Sequence, residues 1–133
     1  MPVYTCTTAL GSLTGESRAL LAAEITRIHA DINHVPPAYV NVVFSELPSD
    51  SVFTGGQPAS PLILTGWVRR GHPQKEATRL AVELSSAVAR VSGVDESHIM
   101  VVLQDSPAGS AVEGGRVLPE PGEEKEWLRG TGA

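Results

Sequence analysis

The residue with the clearest chemical potential is Pro2, which follows Met1 directly at the start of a short β-type run. If Met1 is removed, Pro2 becomes the N-terminus and carries a free secondary amine. The pKa of an α-amino group is ordinarily about 8, and burial or nearby cations lower it, so this amine could act as a base at about pH 7. The alternative is an ordinary first strand residue, since that position needs no N–H for the sheet.

Arg69 is a second candidate, because it ends a predicted strand and ligands of α/β sheets gather at strand ends. Its guanidinium can hold a carboxylate through two parallel hydrogen bonds, and its charge would lower the pKa of a nearby amine. The alternative is a solvated pair with Arg70. On sequence alone, His29 is interpreted as a histidine at the flank of a helix and Glu113 as a surface residue.

The elements that must position these residues alternate between strand and helix. Strands are predicted over 2–8, 39–44, 62–69 and 98–103. One helix is predicted from Glu16, capped by Thr14 and stopped by the segment 33–37 with its two prolines. A second helix is predicted to begin at Pro73 and end at Gly93. Their apolar stripes are Leu21, Ile25, Ile28 and Ile32, and then Ala77, Leu80, Ala81, Leu84, Val88 and Val91.

The order strand, helix, strand occurs twice, at an offset of about 60 residues that indicates an internal repeat. We predict a single two-layer α/β domain over 1–133, with a four-stranded sheet and two helices on one face. It consists of two β-α-β repeats, at about 2–46 and 62–105, and a C-terminal tail whose acidic stretch 120–126 is interpreted as solvated. The strands 40–44 and 99–103 are apolar at both parities, so we expect another copy of the chain to cover the second sheet face.

Composition argues against several classes of function. The net charge of −5, without a basic stripe, argues against nucleic-acid binding. The single cysteine, Cys6, cannot form an internal disulfide, and neither a signal peptide nor a membrane span is evident, which predicts a cytoplasmic protein. The histidines lack the spacing of metal ligands, so no metal is expected, and they are His29, His34, His72 and His98.

An N-terminal proline in a duplicated β-α-β chain resembles the tautomerase superfamily. Several segments resemble the cis-3-chloroacrylic acid dehalogenase family in particular, and together they extend over nearly the whole chain. These segments are 2–4, His29, 52–56, 66–69, 98–99, 112–122 and 126–127.

The resemblance implies roles for four residues. In that family the proline amine is the acid or base, a histidine of the first helix and two arginines hold the substrate carboxylate, and a glutamate with a tyrosine activates water. By position, Pro2 would be the acid or base, Glu113 would activate water, and His29 and Arg69 would hold the carboxylate.

Two family positions differ in this chain. The second arginine falls at His72 and the tyrosine falls at Val102. Arg70 and Arg116 are the further candidates for the missing cation. A pocket for an apolar substituent is predicted from strand parity, lined by Trp67, Met100 and Val102.

The resemblance implies a tautomerase, an isomerase that moves a proton on a small enol or 2-oxo carboxylic acid without a cofactor, assembled as a homotrimer. One alternative is a hydratase, dehalogenase or decarboxylase of a three-carbon acid such as a 3-haloacrylate, with Glu113 activating water. Another is a non-enzymatic oligomeric or ligand-binding protein, which a retained Met1 would favour because the Pro2 nitrogen would then be an amide.

Overall fold

The computed structural model describes residues 1–130, in which two strand–helix–strand units build a single four-stranded sheet. The elements in chain order are β1 (Val3–Ala9), α1 (Gly15–Asn33), β2 (Asn41–Leu47), β3 (Phe53–Thr54), β4 (Gln57–Pro58), β5 (Leu62–Arg69), α2 (Gln74–Ser92), β6 (Ile99–Ser106), β7 (Val112–Glu113), β8 (Arg116–Val117) and α3 (Glu124–Arg129).

The strand order in the sheet is β2-β1-β5-β6. Each unit pairs its own two strands in parallel, and the units join where β1 runs antiparallel to β5, with Val3 opposite Trp67. In the second unit, Trp67 lies opposite Gln104 and Arg69 opposite Ser106. The predicted two-layer α/β architecture of duplicated β-α-β units is confirmed.

Local sequence signals explain where the two long helices begin and end. The Thr14 hydroxyl accepts a hydrogen bond from the Ser17 N–H, and the Ser17 hydroxyl bonds back to the Thr14 backbone, which forms a capping box. Pro73 was predicted at the first helical position, but it precedes the first helical residue, Gln74. Gly93 ends α2 with a φ of 75°, as predicted.

The strand boundaries and loops differ from the prediction in three places. The second strand begins at Asn41, because Pro37–Tyr39 forms a 3₁₀ turn, and the fourth strand extends to Ser106. The loop after β2 contains the hairpin β3-β4, and the tail contains the hairpin β7-β8 and the helix α3. Both hairpins turn on a pair of glycines with positive φ, 55–56 and 114–115, as the two-residue turn requires.

The two sheet faces have opposite character. Alternate strand residues such as Tyr4, Cys6, Leu62 and Leu64 are buried in one core with α1 and α2. On the opposite parity, the apolar side chains of Val3, Val43 and Met100 are exposed, and none of the residues 1–130 covers them. Within that range, no helix combines the length and the apolar character needed to cross a membrane.

Candidate functional site

The N-terminus is anchored in the interior of the protein. The Met1 side chain is buried against Val35, Ala108 and Leu118. Its ammonium group donates a hydrogen bond to the Tyr39 carbonyl oxygen and forms an ion pair with Glu113, whose Oε1 lies 3.2 Å away. Burial lowers the pKa of this ammonium, although the carboxylate of Glu113 opposes the change.

Pro2 is buried directly behind Met1, at the entrance to β1. Its carbonyl oxygen accepts a hydrogen bond from the Asn41 N–H at 3.2 Å, which ties it to the first residue of β2. Because Met1 precedes it, the Pro2 nitrogen is an amide in this structure. Its place in the fold is nevertheless set by the sheet, which positions any amine formed there.

A pocket of about 540 Å³ lies at this N-terminus. Trp67 is in its wall and donates from Nε1 to the Ser106 hydroxyl at 2.6 Å, and the carboxylate side chain of Glu113, 33% exposed, is also in the wall. The complete lining consists of Met1, Val3, Asn41, Trp67, Ser106, Ser110, Ala111, Val112, Glu113 and Leu118.

Two of the three predicted pocket residues, Met100 and Val102, are absent from this lining. They share the open face of the sheet with Trp67, as parity predicts, but Trp67 lies opposite Gln104 in the register. Met100 is four residues before Gln104, and at about 3.3 Å per residue this places it about 13 Å along the strand. Met100 and Val102 thus lie on the same sheet face as Trp67 but outside this lining, and their part in a substrate pocket stays a prediction.

His29 lies in the core and is enclosed by protein groups. Its Nδ1 is 2.7 Å from the Tyr4 hydroxyl oxygen, its Nε2 is 3.4 Å from the Asn33 side-chain nitrogen, and the Tyr4 and His29 rings meet edge to face. Burial, together with the smaller effects of the N-terminal ammonium, His72 and Arg69, lowers the pKa of His29 to about 3. His29 is therefore a neutral imidazole at pH 7, able to form hydrogen bonds but carrying no charge.

Arg69 is also buried, and its guanidinium bonds to the C-terminal segment. Nη1 donates to the Pro119 carbonyl oxygen at 2.5 Å, and Nη2 donates to Glu124 Oε1 at 2.7 Å. Burial raises the pKa of Glu124, but the hydrogen bonds from Arg69 and from Gly122 outweigh that effect, and the pKa is lowered. The interpretation of the acidic stretch as solvated is wrong for Glu124, because Arg69 draws its carboxylate inwards.

The remaining candidate cations occupy different surroundings. Arg70 is exposed and pairs with Asp105, with 3.1 Å between Nε and Oδ1. Arg116 donates to the Trp127 carbonyl oxygen at 2.8 Å, and its guanidinium lies 4.4 Å from the centre of the Trp127 ring. Burial and the charge of Arg69 lower the pKa of the partly buried His72.

Electrostatic effects connect the pocket to the buried residues behind it. The charge of Arg69 lowers the pKa of the N-terminal ammonium as well as the pKa values of His29 and His72. The N-terminus therefore pairs directly with Glu113, and it is also within electrostatic range of His29 and Arg69. Residues 1–130 contain no cluster of three or more histidine, cysteine or acidic side chains that could hold a metal ion.

The sequence interpretation missed Tyr4, Asn33 and Glu124. A signal for Tyr4 exists, because it shares the parity of the buried Cys6 in β1, and a buried tyrosine hydroxyl requires a hydrogen-bonding partner. Asn33 lies four residues after His29, so the two side chains share a helix face. No sequence signal identifies Glu124 among the neighbouring acidic residues.

Similar proteins have the same fold over nearly the whole chain. Native Ps01740 is 37% identical, with a TM-score of 0.82, and the match covers 84% of this chain and 99% of that one. N1, a member of the cis-3-chloroacrylic acid dehalogenase (cis-CaaD) family, is 30% identical, with a TM-score of 0.92 and coverage of 96% and 90%. Native fused 4-OT, 22% identical with a TM-score of 0.80 and coverage of 86% and 94%, shares the fold.

Among curated protein sequences, none matches this chain significantly. The model of the family described as "Putative oxalocrotonate tautomerase enzyme" matches residues 1–131. The chain therefore belongs to that family of the tautomerase superfamily, and it resembles the cis-3-chloroacrylic acid dehalogenase family.

Proposed function

We propose that this protein is a tautomerase that converts a small enol carboxylic acid into its 2-oxo form, with the Pro2 amine as acid and base after removal of Met1. The observation that carries the proposal is the position of the N-terminus, which is buried in the wall of a pocket beside Glu113. Burial and, to a smaller extent, Arg69 lower the pKa of the Met1 amine against the opposing effect of Glu113, and similar surroundings at Pro2 would favour a neutral base.

Removal of Met1 would alter the site in two ways. The amine would move to Pro2, whose carbonyl is held by Asn41, and Glu113 would lose its present ammonium partner. The Met1 side chain would also leave its contacts with Val35 and Leu118, which opens the pocket towards the core. The free amine would then lie next to the pocket residue Asn41, which holds the Pro2 carbonyl.

In the proposed reaction, the neutral Pro2 amine takes the proton from the enol hydroxyl group. The O–H electron pair forms the π bond of the new carbonyl group. The C=C π pair then takes a proton from the prolinium to form a C–H bond, and the amine returns to its neutral form. Arg69 would hold the carboxylate, since its guanidinium has five N–H groups and only two bond to Pro119 and Glu124 in the described residues.

His29 and His72 would support the carboxylate by hydrogen bonding. Burial lowers the pKa of both imidazoles below the ordinary value of 6.5, so neither carries a charge at pH 7. For His29 to donate to the carboxylate, one of its ring nitrogens would have to leave Tyr4 or Asn33. Arg70 and Arg116 are weaker candidates for carboxylate binding. The exposed Arg70 already forms an ion pair with Asp105, and the guanidinium of Arg116 already stacks on the Trp127 ring.

The assembly is proposed to be a homotrimer. The exposed apolar residues of the open sheet face support association, because contiguous apolar surface favours contact with another chain. A structure of fused 4-OT with the same fold is described as an asymmetric trimer. Sedimentation as a monomer at micromolar concentration would contradict this proposal.

One observation favours a second candidate function, in which water is added to a three-carbon acid such as a 3-haloacrylate. Glu113 lines the pocket next to the N-terminus, where a carboxylate could activate water. Val102, at the family's tyrosine position, is not in the pocket lining and carries no hydroxyl. Hydrolysis of a 3-haloacrylate that Glu113→Gln abolishes would favour this alternative.

The test of the tautomerase proposal measures the ketonisation of phenylenolpyruvate by ultraviolet absorbance. Removal of Met1 must first be confirmed by intact mass. Pro2→Ala is expected to lower kcat/KM about 100-fold or more, because it replaces the positioned secondary amine. Pro48→Ala, at an exposed proline far along the chain, is the matched control and should keep full activity.

An absence of catalysis by protein with a confirmed free proline would refute the tautomerase assignment. Retention of Met1 in protein from the natural source would instead favour the non-enzymatic alternative, because the Pro2 nitrogen would then have no basic lone pair.

A further inference from the structure

The ion pair between Arg69 and Glu124 is withdrawn from solvent. The two side chains are 2% and 12% exposed, and the atoms Nη2 and Oε1 are 2.7 Å apart. The Gly122 N–H donates to both carboxylate oxygens of Glu124, at 3.2 Å and 2.9 Å. Breaking such a pair without a substitute is costly, because it leaves an unpaired charge away from water.

Arg69 adjoins two residues of the pocket wall, one in the sheet and one through its hydrogen-bonding partner. Its partner in the sheet register is Ser106, and the Pro119 carbonyl that it bonds follows Leu118 in the chain. Ser106 and Leu118 both line the pocket. The backbone beside Arg69 and the chain next to its carbonyl partner are therefore part of the pocket wall.

Tertiary contacts hold the segment that carries Glu124. The helix α3 has only six residues and no side-chain cap at its N-terminus, and a helix of that length is marginal by itself. Its position depends on the Glu124 contact with Arg69 and on Trp127, which packs edge to face on Tyr39. Release of Glu124 would leave Trp127 as an anchor.

We propose that Glu124 is a specificity-determining residue, an internal carboxylate that occupies Arg69 and that the carboxylate of a bound substrate displaces. The inference rests on the proposed function of Arg69 as the group that holds the substrate carboxylate. Two carboxylates on one buried guanidinium would repel each other, so the ligand and Glu124 compete. Glu124 therefore weakens the binding of carboxylic acids and leaves the binding of neutral ketones unchanged.

The test compares Glu124→Gln with wild-type protein, both with Met1 removed, by isothermal titration with phenylpyruvate and with the neutral ketone phenylacetone. Glutamine keeps an oxygen that can accept from Arg69 and Gly122 but carries no charge. Phenylpyruvate should bind about tenfold more tightly to the variant, and the affinity for phenylacetone should not change. In turnover, KM should fall while kcat stays the same.

Glu123→Gln is the matched control, because it removes one negative charge from the neighbouring exposed position. Glu124→Asp keeps the charge but shortens its reach to Arg69, and it should give a smaller gain in phenylpyruvate affinity. If Glu124→Gln does not fold, as judged by circular dichroism, the Glu124→Asp result decides the matter.

Three results would each overturn the inference. Phenylpyruvate could bind wild type and Glu124→Gln equally, it could bind neither protein, or Glu123→Gln could gain as much affinity as Glu124→Gln. Its failure is separable from failure of the proposed function, because binding does not require turnover. Tighter binding by Glu124→Gln without any ketonisation would refute only the tautomerase, whereas Pro2-dependent ketonisation with unchanged binding would refute only the role of Glu124.

Discussion

The two strand–helix–strand units share their connectivity but differ in what they bury. In the second unit, the buried residues of α2 are all apolar, namely Leu80, Leu84, Ala87 and Val88. In the first unit, α1 buries His29 and Asn33 beside its apolar stripe, and β1 places the Tyr4 hydroxyl against His29. The first unit thus buries polar groups between its helix and the sheet, whereas the buried polar group of the second unit, Arg69, ends a strand and bonds to the C-terminal segment.

In the second unit, β5 has no side chain at the position that faces Tyr4. Gly66 of β5 lies opposite Tyr4 in the register, and a Cβ atom there would stand 2.5 Å from Tyr4 Cε1. The Tyr4 ring occupies that space and reaches His29. Duplication of a backbone architecture therefore leaves the two units free to differ, because the first buries the Tyr4–His29 contact and the second keeps an apolar helix face and a buried arginine at the end of β5.

The largest expected effect tests the apolar core of the second unit. Leu84→Ala should lower the free energy of unfolding by about 2–5 kcal/mol, because it removes a fully buried side chain and leaves a cavity. The loss should be the same at pH 7 and pH 5, since no titrating group is involved. Urea unfolding measures it, with the exposed Val82→Ala on the same helix as the control.

The next effect tests the polar core of the first unit through its dependence on pH. The pKa of His29 is ordinarily 6.5 and is about 3 in the folded protein, so the unfolded chain takes up the proton first as the pH falls. The contribution of the neutral His29 to the free energy of unfolding is therefore complete above about pH 6.5, and it is lost as the pH falls towards about 3. At pH 4 the free energy of unfolding is lower than at pH 7 by about 3 kcal/mol from this residue.

His29→Gln should therefore reduce the difference in unfolding free energy between pH 7 and pH 4 by about that 3 kcal/mol. His98→Gln, at an exposed histidine, is the matched control and should leave the difference as it is in the wild type. An unchanged difference in His29→Gln would show that the first unit does not bury a neutral imidazole.

The smallest expected effect tests the contact between the units. Gly66→Ala should destabilise the protein by about 1–3 kcal/mol, because the new methyl group overlaps a tyrosine ring that the core prevents from moving. At Gly109, by contrast, a Cβ would meet no atom within 4 Å, so Gly109→Ala should be close to neutral. Thermal unfolding measures the stability of both variants. Equal stability of Gly66→Ala and Gly109→Ala would show that the close contact between Tyr4 and Gly66 does not matter for the packing of the two units.

Much of the fold follows from local sequence patterns. The apolar stripes of α1 and α2, the cap at Thr14, the stop at Gly93 and the paired glycines of the hairpins act over a few residues each. Such signals predict the two long helices and the turns but not the two hairpins, and the repeated strand–helix–strand order predicts the sheet with both helices on one face. Pro2 and Arg69 were candidates from their own chemistry, His29 and Glu113 became candidates through the resemblance, and all four roles stay predictions.

Only the tertiary structure decided which of these residues meet and what surrounds them. Arg69 and Glu124 are 55 positions apart, and Tyr4 and His29 are 25 apart, so no periodicity of the chain relates them. Likewise, strand parity placed Met100 on the same sheet face as Trp67, but in the register Met100 lies about 13 Å along β6 from Gln104, the residue opposite Trp67. The sequence alone determined the elements, because their signals are local, whereas burial and charge at the site depend on contacts that form when distant segments pack together.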